Sequence, residues 1–153
     1  MVVYTRKRAA ARTVPSPLFQ QQTLRTPAEW EPHAATWLAR PYDTISFPDR
    51  IPAVEREYVR IIGTLAESEA VKLVVRPFQK KEILEKLAAG KVAMRNVEFY
   101  EADYADIWIR DWGPTFVRKD GNPAFVKWTY NAYGNRFPEL LKDDTVVDQI
   151  SAF

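Results

Sequence analysis

A single α/β domain is predicted, on three observations. Segments of strand and helix character alternate between residues 34 and 100, and a hairpin signal follows at Lys119-Asp120-Gly121-Asn122. The 153 residues, 46% hydrophobic and 27% charged, have the length and composition of one ordinary domain with a buried core.

Residues 1–28 contain no Asp or Glu and carry Arg6, Lys7, Arg8, Arg12 and Arg25. Residues 1–26 are therefore expected to form a disordered basic tail, with an organelle transit peptide as the alternative. Order is expected from Pro27 onward. Ala34 to Leu38 is a short apolar strand that Pro41 ends. His33, just before it, is expected to be a structural histidine more than a catalytic one. Asp49 is the candidate N-cap of a helix from Ile51 to Glu67, with Pro52 in its first turn. Val54, Tyr58, Ile61, Ile62 and Leu65 supply its apolar stripe. Val71 to Val75 is a second strand, closed by Pro77. A helix follows from Gln79 to Ala89, with Ile83, Leu84 and Leu87 on one side and Gly90 as its stop. Val97 to Tyr100 is a third strand. Thr115–Arg118 and Ala124–Trp128 form the hairpin, with Gly121 supplying positive φ. Tyr130 to Gly134 is an aromatic, glycine-containing turn.

Composition narrows the chemistry. Lys plus Arg number 22 against 20 Asp plus Glu, a net charge of +2, which makes no case for a nucleic-acid or membrane partner. No run is apolar for long enough to span a bilayer. With no cysteine, these residues hold no disulfide, thiolate ligand or thiol nucleophile. The single histidine argues against a multi-histidine metal site. There is no glycine-rich phosphate loop or serine nucleophile elbow, and no cofactor is expected.

The chemistry-bearing stretch is Asp106-Ile-Trp-Ile-Arg-Asp-Trp-Gly-Pro114. Its alternation reads as a strand that Gly113-Pro114 stops, so that Trp108 and Asp111 stand at a strand end. A flat aromatic face beside a carboxylate suits a planar cation. The carboxylate accepts paired N–H bonds from a guanidinium, and the ring stacks on it. Residue types alone fit equally a half-buried strand with a local ion pair from Arg110. Asp106 is expected to cap or brace the strand, and Trp30, Trp37 and Trp112 to pack in the core.

Three stretches taken together resemble the opening half of the agmatine deiminase and bacterial peptidylarginine deiminase family. They are Pro27-Ala-Glu-Trp-Glu-Pro-His-Ala-Ala-Thr-Trp-Leu-Ala39, the Asp106–Pro114 stretch and Tyr130-Asn-Ala-Tyr-Gly134. The resemblance implies part of a five-bladed α/β propeller of the pentein kind, about two strand-helix-strand blades of it. It also implies hydrolysis of a guanidinium to a ureido group plus ammonia. A cysteine thiolate attacks the guanidinium carbon, a histidine acts as acid and base, and water resolves the covalent intermediate. By position, Asp111 matches a substrate-holding carboxylate of the catalytic set and Trp108 the aromatic wall. Ala132 and Gly134 stand where the peptidylarginine branch has carboxylate-clamping arginines, so agmatine is the expected substrate. Arg136 keeps arginine or peptide substrates open. Arg40 departs from the family's usual tryptophan.

The family's histidine, second carboxylate and cysteine have no counterpart in these residues. The isolated chain is therefore expected to be inactive alone, a guanidinium-binding half with a cytoplasmic location. The alternatives are an arginine-directed fragment, or a non-catalytic module that self-associates or binds a complementary fragment.

Overall fold

The computed structural model describes residues 2–4 and 23–151. A four-stranded sheet runs in the order β1 (Val2–Tyr4), β3 (His33–Ala39), β4 (Ala70–Val75), β5 (Val97–Glu101). β1 pairs antiparallel with β3, whereas β3, β4 and β5 are parallel. Parallel neighbours need long crossovers. Helices α1 (Ile51–Ala66) and α2 (Lys80–Ala89) supply them. A second, antiparallel sheet joins β2 (Leu24–Arg25), β6 (Thr115–Lys119) and β7 (Asn122–Val126). The α/β class holds, and its two strand-helix-strand units share one sheet. Val2–Tyr4 and Leu24–Arg25, read from sequence as tail, are strands. Residues 5–22 of that segment lie outside the described residues.

β4 shows how the sheet separates two cores. Side chains alternate across a strand. Val71, Leu73 and Val75 face a core built with Ile62 and Ala66 of α1 and Ile83 and Leu87 of α2. Val74 faces the other side, with Trp37, Tyr104, Ile109, Trp112 and Val146. Each fully buried aliphatic side chain contributes on the order of 1.5–3 kcal/mol. Trp37 and Trp112 are core residues as expected, but Trp30 is 89% exposed. It precedes β3 on a surface turn that reaches neither core.

Most of each expected stripe faces the core: Tyr58, Ile62 and Leu65 of α1, and Ile83 and Leu87 of α2. Ile61 and Leu84 are the exceptions, exposed at 44% and 37%, and α1 also buries Glu55 and Ala66, which the stripe did not include. Asp49 does not cap α1: Arg50 is the N-cap, with no side-chain cap bond, and Asp49 sits at φ 58°. Gly90 stops α2 for a different reason from the expected one. Its φ is −75°, and the left-handed residue is Lys91. A Cβ at Gly90 would lie 2.5 Å from Val59 Cγ1, so glycine is required by the close approach of α1. The hairpin is tight, with Lys119 opposite Asn122 and both Asp120 and Gly121 at positive φ. This is the two-residue turn whose twist suits antiparallel strands.

The side chain of Arg40, where β3 ends, is 3% exposed. It pairs with Glu55, itself also paired with Lys86, and with Glu82 Oε2 at 2.9 Å. Its Nε and Nη1 have no hydrogen-bond partner among the described residues.

Candidate active site

The stretch from Asp106 to Arg110 is not a strand. It forms a loop into a single helical turn, α3 (Ile109–Trp112), with Trp108 as N-cap and Gly113 as C-cap. Four alternating residues are too few to separate a period of two from one of three and a half. The helical spacing wins because Ile109 and Trp112, three apart, both enter the core, at 6% and 2% exposed. Trp108 and Asp111, also three apart, share the outer face. The Asp111 N–H donates to the Trp108 carbonyl at 2.8 Å.

The loop before α3 leaves the C-terminal end of β5, and residues 41–50 leave that of β3. Ligands in parallel α/β sheets bind outside these strand ends. Backbone bonds hold the loop. Asp143, fully buried, accepts from the N–H groups of Ala105 at 2.5 Å and Asp106 at 3.3 Å. Burial pushes its carboxyl up to about 6. Tyr104 Oη donates to the Arg40 carbonyl at 2.6 Å. Trp112 Nε1 donates to the Asp106 carbonyl at 3.1 Å.

A cavity of about 300 Å³ opens here, lined by Ile45, Ser46, Trp108, Tyr133, Phe137 and Leu140. Trp108, 43% exposed, forms part of its wall. Its Nε1–H donates to Ser46 Oγ at 2.9 Å, and Ser46 Oγ donates to the buried carboxylate of Asp106. Phe47 stacks on Trp108 at 6.3 Å and 30°. Asp106 thus braces the site through Ser46, and it does so from a loop. Asp111 reaches the cavity rim through Tyr133, whose Oη donates to Asp111 Oδ2 at 2.5 Å. Trp108 is thus a lining residue, and Asp111, which does not line the cavity, is joined to its wall through Tyr133.

Tyr133 belongs to α4 (Ala132–Asn135), which is a left-handed turn. Ala132, Tyr133, Gly134 and Asn135 all have positive φ, at 49°, 57°, 75° and 61°. Left-handed backbone costs roughly 1–2 kcal/mol for each non-glycine residue. Offsetting bonds run from Gly134 N–H to Asn131 Oδ1 at 2.8 Å and from Asn135 N–H to the Asn131 carbonyl at 2.7 Å. Strain of this kind concentrates at functional sites.

The remaining candidates lie elsewhere. Arg110 pairs with Glu29 at 3.1 Å on the surface, and not with a neighbouring aspartate. The ring nitrogens of His33 lie 3.2 Å from Glu69 Oε2 and 2.7 Å from the Glu29 carbonyl, a structural role. Ser46, Phe47 and Tyr133 were not singled out from sequence. Only Tyr133 had a signal, its place in the Tyr130–Gly134 motif. Among the described residues no group of three or more His, Asp or Glu is placed to hold a metal, and no helix is long and apolar enough to cross a membrane.

Residues 25–153 match the model of the Porphyromonas-type peptidyl-arginine deiminase family. The agmatine deiminase of Pseudomonas aeruginosa is 32% identical over 132 residues, covering 82% of this chain and 34% of the relative. That of Stutzerimonas stutzeri is 29% identical over 131 residues, covering 81% and 34%. The solved agmatine deiminase of Enterococcus faecalis superposes with a TM-score of 0.71 at 27% identity, over 84% of this chain and 35% of that one. A substrate-bound C. jejuni agmatine deiminase superposes at 0.74 and 22% identity, over 90% and 39%, a likeness of fold. The chain spans about a third of the length of the curated relatives it matches. Sequence motifs, fold and family model agree, and the chain belongs to the Porphyromonas-type peptidyl-arginine deiminase family.

Proposed function

We propose that these residues form the guanidinium-holding part of an agmatine-type deiminase, set within a five-bladed α/β propeller and working in the cytoplasm toward putrescine synthesis. The observation that carries this reading is the placement of Trp108 and Asp111 three residues apart on one exposed face, with Trp108 lining the cavity and Asp111 bonded to Tyr133, which also lines it. The indole provides a face for a planar cation, and the carboxylate provides acceptors for its N–H groups. Holding the cation in a fixed pose lowers the entropy cost of attack on its carbon. The reaction class replaces one guanidinium nitrogen by oxygen, releasing ammonia and leaving N-carbamoylputrescine. Its thiolate step needs a cysteine, and these 153 residues contain none. They are expected to bind agmatine without turning it over.

Agmatine is favoured over arginine because the turn at the cavity carries Ala132 and Gly134, with no cationic side chain at either place. The family's peptidyl-arginine name and the exposed Arg136 support the second reading, an arginine-like substrate. A non-catalytic module is the third, favoured by the exposed Phe125, Trp128 and Phe137.

Calorimetric titration with agmatine and with arginine, alongside an ammonia assay, tests the proposal. Saturable agmatine binding that Trp108→Ala or Asp111→Ala abolishes, with ammonia at the blank level, is expected. Tighter binding of arginine would favour the second reading. Ammonia release lost in Asp111→Ala would overturn the expected inactivity.

A further inference from the structure

We infer that Tyr133 is a positioning residue for Asp111, holding its carboxylate at the cavity rim through a left-handed turn that exists to deliver the phenol there. This rests on the guanidinium reading above and extends it to a residue for which the motif suggests no role.

Asp111 is exposed, and an exposed aspartate on a one-turn helix is otherwise free to rotate about χ1 and χ2. The 2.5 Å bond from Tyr133 Oη to Oδ2 removes that freedom. An ionised carboxylate has about four lone-pair sites. One bond from Tyr133 leaves Oδ1 and the rest of Oδ2 to accept a pair of guanidinium N–H groups.

The phenol is itself fixed from three directions. Its ring makes edge contacts with Tyr130 at 5.7 Å and 85° and with Phe137 at 6.0 Å and 90°. Its backbone is set by the turn, which Asn131 closes through both its side chain and its carbonyl. Ala132 is fully buried and anchors the turn in the core that also holds Ile109 and Trp112 of α3. Turn and helix are thus tied to one packed layer, which sets the spacing of phenol and carboxylate. Burial, and then the bond to Asp111, push the phenol well above its ordinary range. Tyr133 therefore remains a donor at any physiological pH.

The test has two arms, both on the 153-residue chain. The first needs no ligand: the Tyr133 phenol is titrated by carbon-13 NMR of labelled tyrosine, with Tyr133→Phe assigning the signal. The wild-type phenol is expected to stay protonated through the alkaline range in which the chain is folded and to titrate at lower pH in Asp111→Asn; a wild-type phenol that titrates in the ordinary tyrosine range, as the variant does, would overturn the contact. The second arm measures agmatine affinity. Tyr133→Phe, shown folded by an unchanged circular dichroism spectrum, is expected to bind about tenfold more weakly than wild type, the loss of one hydrogen bond to a charged group. Wild-type affinity in Tyr133→Phe would overturn the positioning role and leave the guanidinium reading standing. If the wild-type chain fails to bind agmatine, the guanidinium reading falls, and the phenol titration alone decides whether Tyr133 holds Asp111.

Discussion

Trp108 donates its indole N–H to Ser46 Oγ at 2.9 Å, across 62 positions of sequence, and Ser46 passes the restraint on to the buried Asp106. The ring that would face a guanidinium is therefore held by the loop after β3 as well as by its own helical turn. Ser46→Ala should free the indole and leave an Asp106 oxygen without its donor. The expected cost is about 1–3 kcal/mol of stability, a drop of roughly 2–12 °C in Tm for a chain of this size. Thermal denaturation measures it, and a more mobile Trp108 indole in NMR relaxation should accompany it.

The buried ion cluster around Arg40 makes a prediction about stability alone. Arg40→Ala removes the cation from the buried Glu55 and should destabilise by about 3 kcal/mol, the lower part of the range for a broken buried pair because Lys86 remains on Glu55. Arg40→Met combined with Glu55→Leu should be less destabilising than Arg40→Ala, since neither charge is then buried unpaired. Urea melts of the single and double variants decide between these outcomes.

Asp143 ties stability to pH. Its carboxyl is raised from 3.8 to about 6 in the folded chain, so between those values the native state binds more protons than the unfolded one. Stability should therefore fall as pH rises from about 4 to about 6, by roughly 1–3 kcal/mol. The buried side of Asp43 adds in the same direction, its carboxyl also being raised by burial. Asp143→Asn should make that slope shallower in denaturant melts across this range. Because Asp143 holds the backbone of Ala105 and Asp106, the variant should also be less stable than wild type at pH 4.

Gly90→Ala would place a methyl 2.5 Å from Val59 Cγ1 and should cost about 1–3 kcal/mol. Val59→Ala in the same chain should recover part of that loss, because the clash is with a side chain. A helix-propensity effect alone would make Gly90→Ala stabilising, so the sign of the change in Tm separates the two.

Much of this arrangement was legible in the sequence, for definite reasons. α1 is 16 residues long, enough for a helical pattern to show, although Glu55 in the buried face could not be foreseen without Arg40 beside it. Val71 to Val75 read as a strand because an apolar run bounded by Pro77 has few alternatives. The segment Ile107–Arg110 failed because the packing of Ile109 and Trp112 overrode a four-residue alternation. Trp108 and Asp111 stood out by residue type, but the sequence put them at a strand end, whereas a helical turn sets them three apart on one exposed face. Ser46 did not stand out, because a serine in a loop carries no signal until the fold brings it to Trp108. The left-handed run at Ala132–Asn135 was also hidden: Gly134 marked a turn, but nothing in Ala132 or Tyr133 announces positive φ.

The measurement that bears most directly on the guanidinium site is the NMR signal of the Trp108 indole N–H during titration with agmatine, with 1,4-diaminobutane as a control that keeps the four-carbon chain and carries a second amine in place of the guanidinium. A saturable shift with agmatine, absent with the diamine and absent in Asp111→Asn, is the expected result. An indole signal that does not move, or that moves equally with the diamine, would contradict a guanidinium site at Trp108 and Asp111.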